Sequence, residues 1–265
     1  MPRQHGGAPG GSATATSTNL DPEQVRLWKD PSQLVYHRRQ FERPYQSTKS
    51  FAVFLATLAI GGGEALDVAC GAGANIAYFS HALPGFRWSG IDLAGDLLFP
   101  VARQELGARG VEAELVTGDL FELARTFAGR RFDLVTSTQT LSWLPGWEEP
   151  FEQMLAVSRG WIVISSLFTD FEAEVKTDAF DLTTPDLPPY HVNVYSLSRL
   201  RSYCELRGCS DFRSQDFDMD VDLPEPENHG LGTYTRTLAN GRRLQFTGPV
   251  YLPWKFVAIR SPSHA

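Results

Sequence analysis

From Ser47 onward, apolar positions recur first at helical spacing and then in short unbroken runs. Phe51, Phe54, Leu55 and Leu58 fall at i, i+3, i+4 and i+7, and Gly61-Gly62-Gly63 stops that helix. "EALDVAC" (64–70) follows as a buried strand that closes in a glycine turn. "NIAYFSHAL" then places Ile76, Phe79 and Leu83 on one helical face, ended by Pro84-Gly85. The alternation repeats. "RWSGIDL" (87–93) reads as a strand, followed by a helix carrying Leu98, Val101, Ala102 and Leu106. "VEAELVTGDL" (111–120) and "RFDLVTST" (131–138) are the third and fourth strands. A helix around Phe151, Met154 and Leu155 leads to "GWIVISSLF" (160–168), the fifth. Short apolar strands alternating with helices predict a doubly wound parallel α/β sheet.

The rhythm then changes. Residues 169–195 are irregular and proline-rich, and a helix with Leu197, Leu200 and Tyr203 leads to a strand in "SDFRSQDFDMDVDL". "TYTRTLANGRRLQFTG" (233–248) predicts a β-hairpin turning at Asn240-Gly241. "WKFVAIR" (254–260) is a final strand, which makes seven in the sheet. The spacing thus predicts one main domain over 64–265, with a hairpin insertion at 225–250 before the last strand. An N-terminal helical cap is expected over 21–63, starting at Asp21-Pro22 and interrupted by Pro44. Residues 1–20, all but devoid of apolar side chains to bury, predict a disordered tail.

Charge narrows the partners. With 24 Lys+Arg against 31 Asp+Glu, the net charge is −7, and no basic run is interleaved with aromatics. That balance argues against nucleic acid and against an anionic membrane surface. No apolar run reaches the ~20 residues of a membrane span. Cys70, Cys204 and Cys209 show no metal-ligand spacing and no even disulfide set, so no metal and a reducing, cytoplasmic setting are expected.

The glycine turn carries the first chemistry. In "LDVACGAGAN" (66–75), Gly71 and Gly73 are present, but position 76 is Ile where a nicotinamide-binding loop wants a third glycine. No lysine follows, which excludes a phosphate P-loop. Asp67 at the strand end suits an ammonium or sulfonium better than a pyrophosphate. The turn therefore prefers a cation-bearing ligand.

"LDVACGAGAN" resembles the first motif of the class I S-adenosylmethionine-dependent methyltransferases, an acidic residue followed by G-x-G. The resemblance covers roughly residues 50–170, and more loosely the late strand and hairpin. It implies a Rossmann-like fold, with S-adenosyl-L-methionine as cofactor and S-adenosyl-L-homocysteine as its product. It implies that Asp67, Ala69, Gly71 and Gly73 line the methionine side. Asp92, in "GIDLAGDLL", would accept from the ribose hydroxyls, and Asp119, in "TGDLF", would meet the adenine amino group. Leu93 and Leu120 would sandwich the adenine, while Gln139 and Thr140 would pass the methionine portion. Before the fifth strand the family's usual "L-x-P-G-G" is replaced by "AVSRGWIVIS", which keeps Gly160.

The acceptor side is less defined. His191, in the irregular segment, is a candidate general base, and His229, in "PENHGLG", and His37 are further catalytic candidates. Each of them competes with a capping, packing or exposed-loop role. Tyr36, Tyr45 and Trp143 are candidates for aromatic faces near the sulfonium. The resemblance implies methyl transfer to oxygen or nitrogen of a small molecule, and the Ala-, Gly- and Arg-rich composition suggests bacterial specialised metabolism. Alternatives are a surface-sugar or polysaccharide precursor as acceptor, a protein or RNA acceptor, or a cofactor-binding protein with a non-methylating reaction. Monomer and homodimer both remain open.

Overall fold

The computed structural model describes residues 25, 26, 28–31 and 33–262. The expected tail (1–20) and the Asp21-Pro22 helix start lie outside the described residues. Two helices, α1 (Gln33–Glu42) and α2 (Gln46–Ala56), are separated where Pro44 denies the chain a helical N–H.

Five strands and their helices then alternate: β1 (Gly63–Val68), α3 (Ala74–Ala82), β2 (Phe86–Asp92), α4 (Gly95–Ala108), β3 (Ala113–Thr117), a short α5 (Leu123–Thr126), β4 (Phe132–Thr138), α6 (Glu148–Val157) and β5 (Ser158–Thr169). Three two-residue strands follow, β6 (Asp178–Ala179), β7 (Tyr190–His191) and β8 (Tyr195–Ser196), and then α7 (Leu197–Leu206). β9 (Asp211–Asp216), the hairpin β10 (Thr233–Thr237) and β11 (Arg243–Thr247), β12 (Val250–Tyr251) and β13 (Trp254–Arg260) complete the chain.

The central sheet runs β3-β2-β1-β4-β5-β13-β9, with β8 added at the end of β5. β1 to β5 are parallel; β13 is antiparallel to both β5 and β9. The expected seven-stranded α/β architecture is present. Because β2 lies on one side of β1 and β4 on the other, the chain reverses direction across the sheet at β1. Such a switch point opens a crevice at the carboxyl ends of the strands.

Both faces of the sheet are covered, as the unbroken apolar runs require. Ala65 packs with Phe51, Phe54, Phe79 and Leu106 on one face, and its neighbours Leu66 and Val68 pack with Phe127, Phe151 and Leu200 on the other. Phe256 on β13 holds α2 down: it is fully buried, edge-on to Phe51 at 5.2 Å, tilted to Phe54 at 5.8 Å and stacked on Phe217 at 5.4 Å.

Three details differ from the sequence pattern. The third strand ends at Thr117 because Gly118 turns to donate to the Asp92 carbonyl and Asp119 caps a short 3-10 turn. The hairpin connects through Leu238–Arg242 rather than a two-residue turn, with Gly241 at φ +83° supplying the left-handed position, and β12 adds a third strand. The irregular 169–195 segment contains the β6–β7 ladder and a Val175–Val194 bridge.

Phe256→Ala should cost about 3–5 kcal/mol in urea unfolding, since three aromatic rings lose their common contact. A loss below about 1 kcal/mol would mean that α2 is held elsewhere.

Candidate functional site

At the carboxyl end of β1 the backbone turns left-handed three times, at Ala69 (φ +57°), Gly71 (φ +56°) and Gly73 (φ +80°). Gly73 then serves as the N-cap of α3. Gly71 and Gly73 are needed for different reasons. A Cβ on Gly71 would lie 2.7 Å from Cε1 and 2.9 Å from Nδ1 of His37, whereas one on Gly73 would meet only ordinary contacts, at 3.5 Å or more. Position 73 therefore requires glycine for its dihedral angle, not for space. On the adjacent strand β4, Gln139 is also left-handed (φ +56°), and its N–H donates to the Ser165 carbonyl at 2.8 Å. Ala69 and Gln139 hold strained backbone at the two strand ends that flank the switch point, where such strain marks function more often than accident.

Three carboxylates stand at consecutive strand ends. Asp67, at the end of β1, is completely buried. Its Oδ1 accepts from the Thr136 hydroxyl at 2.8 Å, and its Oδ2 has no partner. Burial pushes its carboxyl up to about 7, against the lowering effect of Thr136 and helped by the charge of Asp92. Asp92, at the end of β2, accepts from the Gly71 and Ala94 N–H groups, both at 2.8 Å. It thereby pins the glycine turn to the β2 end; burial raises its carboxyl, and the two N–H donors oppose that. Asp119, beyond β3, accepts from the Phe121 N–H at 2.9 Å through Oδ1. Its Oδ2 is also buried without a partner, and burial raises this carboxyl too.

Capping is therefore only half of what Asp119 does. Among the described residues no Lys or Arg pairs with any of the three. Orphaned buried carboxylate oxygens are costly, so their presence points to donors supplied by a ligand. An ammonium and a sulfonium suit Asp67, and an aromatic amine suits Asp119. Leu93 and Leu120, both half-buried, pack against one apolar cluster and follow Asp92 and Asp119 in the chain. The residues present fit S-adenosylmethionine: charge, amine acceptor and apolar side chains follow the order of the strands.

The remaining wall comes from elements far apart in sequence. Thr48 donates to Asn75 Oδ1 at 2.8 Å, and Asn75 Nδ2 donates to the Thr138 hydroxyl at 2.6 Å. Gln139 Nε2 donates to the Ser47 hydroxyl at 3.4 Å. These bonds join α2, α3 and the end of β4, and none had a local sequence signal. Tyr36 and Tyr45 lie 6.0 Å apart by ring centroid, and Tyr36 is edge-on to His37 at 5.3 Å. His37 is thus placed against the glycine turn by α1, and burial lowers its imidazole to about 4, which keeps it neutral at physiological pH. Trp143 closes a 3-10 turn (Leu141–Trp143) after β4 and is half-buried against the core.

The other histidines lie apart from that turn. His191, on β7, is bonded through Nδ1 to Asp178 Oδ1 of β6 at 2.8 Å. The strap carrying it is tied to the loop after β4 by Asn193, whose N–H donates to the Ser142 carbonyl at 2.9 Å and whose Nδ2 donates to the Leu144 carbonyl at 2.7 Å. Asp178, the partner of His191, was not singled out by sequence. His229 is exposed, with left-handed backbone (φ +53°), in a loop that reaches Asp181 through the Leu231 N–H at 3.2 Å.

Residues 65–159, the span of the turn and the three carboxylates, match the family described as "Methyltransferase domain". No curated protein matches the sequence. Among solved structures, the chain is similar to magnesium protoporphyrin IX methyltransferase from Synechocystis, solved with S-adenosylhomocysteine bound. That likeness covers 91% of this chain and 100% of that one, at 14% identity and a TM-score of 0.56. It is also similar to the 1,6-didemethyltoxoflavin-N1-methyltransferase of Burkholderia thailandensis, over 92% of this chain and 91% of that one, at 15% identity and a TM-score of 0.55. An S-adenosylmethionine-dependent methyltransferase from Clostridium acetobutylicum matches over 87% and 98%, at 11% identity and a TM-score of 0.55. At these identities the likeness to solved structures is one of fold. No helix among the described residues is long and apolar enough to cross a membrane, and none of their His, Cys, Asp and Glu side chains cluster as metal ligands.

Two outcomes follow for the carboxylates. The folded value of Asp67, about 7, lies above the ~3.9 of a solvated Asp. Its ionisation therefore costs the unliganded protein stability progressively from about pH 4 to about pH 7. A bound cation reverses that sign, so donor affinity should rise about tenfold between about pH 6 and about pH 8. Calorimetry should find the slope absent in Asp67→Asn; an unchanged slope would remove Asp67 from the site. Asp92→Ala should weaken donor binding by ~100-fold or more, through two lost charge-assisted bonds and an untethered Gly71. Affinity within a factor of two of wild type would overturn the placement of the donor.

Proposed function

We propose that this chain, whose residues 65–159 match a methyltransferase domain family, is a class I, S-adenosylmethionine-dependent methyltransferase that transfers the methyl group to oxygen or nitrogen of a small molecule in bacterial specialised metabolism. The sulfonium supplies an electrophilic methyl, so the protein's work is to align donor and acceptor and to exclude water. Asp67 holds the cationic end, Asp92 the ribose and Asp119 the adenine amine, while Gly71, Gly73 and Ala69 let the backbone approach.

One observation supports the small-molecule reading: the N-terminal helices, the 170–195 strap and the loop before β10 are hydrogen-bonded to one another. Gln46, at the start of α2, donates to Asp220 at 2.9 Å. Arg26 donates to the Asp186 carbonyl at 2.7 Å, and Leu231 to Asp181. These bonds tie the N-terminal helices, the 170–195 strap and the loop before β10 to one another, and in this proposal they cover the crevice. A closed roof admits a metabolite and hinders a folded macromolecule. Two similar structures are methyltransferases of magnesium protoporphyrin IX and of 1,6-didemethyltoxoflavin, acceptors of that size class. Fold alone does not choose the acceptor.

His191 is the base in this proposal. A carboxylate on Nδ1 orients the imidazole, the arrangement a histidine base uses. His37, neutral and pressed on the glycine turn, serves the donor side, and His229 belongs to the roof. Labelled S-adenosylmethionine incubated with the protein and a metabolite extract should label a small extractable product. Label confined to macromolecules would sink the proposal. With that product in hand, His191→Ala should lower kcat about 10²-fold with donor affinity unchanged, and wild-type turnover would return His191 to a purely structural role.

A further inference from the structure

The carboxyl end of α7 is closed by a cap with unusual contents. Gly208 is left-handed (φ +77°); its N–H donates to the Glu205 carbonyl at 3.0 Å, and the Cys209 N–H donates to the Cys204 carbonyl at 3.0 Å. These two bonds define the Schellman arrangement, which folds the residue after the glycine back against the residue five before it. An apolar contact commonly fills that junction. Here both residues are cysteines, and both are thiols. Cys204 is buried at the α7–β9 corner, while Cys209 is half-buried, flanked by exposed Glu205, Leu206, Arg207, Gly208 and Ser210. The thiols share a hydrogen bond that holds Cys209 below its ordinary value and pushes Cys204 well above. Neither touches the donor site, whose own cysteine is Cys70 in the glycine turn.

We propose that Cys204 and Cys209 form a reversible disulfide site, oxidised by exchange with a low-molecular-weight disulfide of the glutathione type. The geometry asks for no rearrangement. A disulfide needs its two Cα atoms within roughly 4.4–6.8 Å, and the cap already joins these residues by a direct backbone bond. Cys209, the accessible thiol with the lower proton affinity, attacks as thiolate on one sulfur of the small disulfide and expels its partner as a thiolate. The mixed disulfide on Cys209 faces Cys204. Cys204 gives up its proton and attacks the Cys209 sulfur, releasing the second small thiolate. Two protein thiols are oxidised, one small disulfide is reduced to two thiols, and both protons leave with them. The ring so closed is short and lies at the surface, which makes it readily reducible rather than a permanent staple. The site stands apart from methyl transfer and does not depend on that reading.

The whole protein should be incubated with oxidised glutathione at mildly alkaline pH, alkylated, and cleaved after Arg and Lys. Cleavage at Arg207 separates Cys204, on 202–207, from Cys209, on 208–213. The expected product joins these two peptides, is lighter than their sum by two hydrogens, and vanishes on reduction, while the intact chain stays a single-chain mass. Cys204→Ser should stop at a glutathione adduct on Cys209, and Cys209→Ser should react at neither remaining position under the same conditions. Three results would overturn the proposal: wild type halting at the Cys209 adduct, a bridge between two chains, or both thiols fully alkylated after treatment.

Discussion

The Asp92 carboxylate, accepting from Gly71 on one side and Ala94 on the other, is the interaction on which the site depends. It ties the end of β1 to the end of β2 across the crevice and fixes where the glycine turn points. That geometry in turn sets Asp67 beneath the turn and presses His37 onto it. The strand pairing and the Cys70 N–H bond to the Ile91 carbonyl already join the two strand ends, and the Asp92 tether extends that link into the glycine turn itself. Its cost is electrostatic. Burial raises the proton affinity of both Asp67 and Asp92, and the charge of Asp92 adds to it at Asp67, a cost that a positively charged ligand would relieve.

Phe256 and its aromatic neighbours solve a separate problem. The N-terminal helices are not part of the alternating strand–helix pattern and, among the described residues, add no strand to the sheet. α2 is kept in place by ring packing on β13, the last strand in the chain. Residues 46–56 and the last strand thus meet on the side of the sheet next to its β9 edge, and from there Thr48 and Ser47 bond to Asn75 and Gln139 and Gln46 to Asp220.

The sheet was legible because strands buried on both faces must be apolar throughout, and "GWIVISSLF" or "EALDVAC" can do little else in water. The cofactor side was legible for a related reason: glycines at forced dihedral angles and acids at strand ends are local features. The network through Thr48, Asn75 and Thr138, the Thr136–Asp67 bond and the His191–Asp178 pair were not. Each joins polar residues of ordinary type, most of them distant in sequence, and only the completed fold brings them into register. The cysteines show the same limit. Their spacing matches no metal or disulfide pattern, yet the left-handed Gly208 turns an odd set of three into a facing pair.

His37 against Gly71 also bears on the order of events in turnover. The imidazole rests where the chain comes closest to the left-handed turn, and α1 carries it there together with Tyr36. In the proposed reaction a donor reaching the turn meets that imidazole, so α1 would shift as the donor enters and again as the spent donor leaves. The rate of such a cycle would then depend on the N-terminal helices as much as on the chemistry.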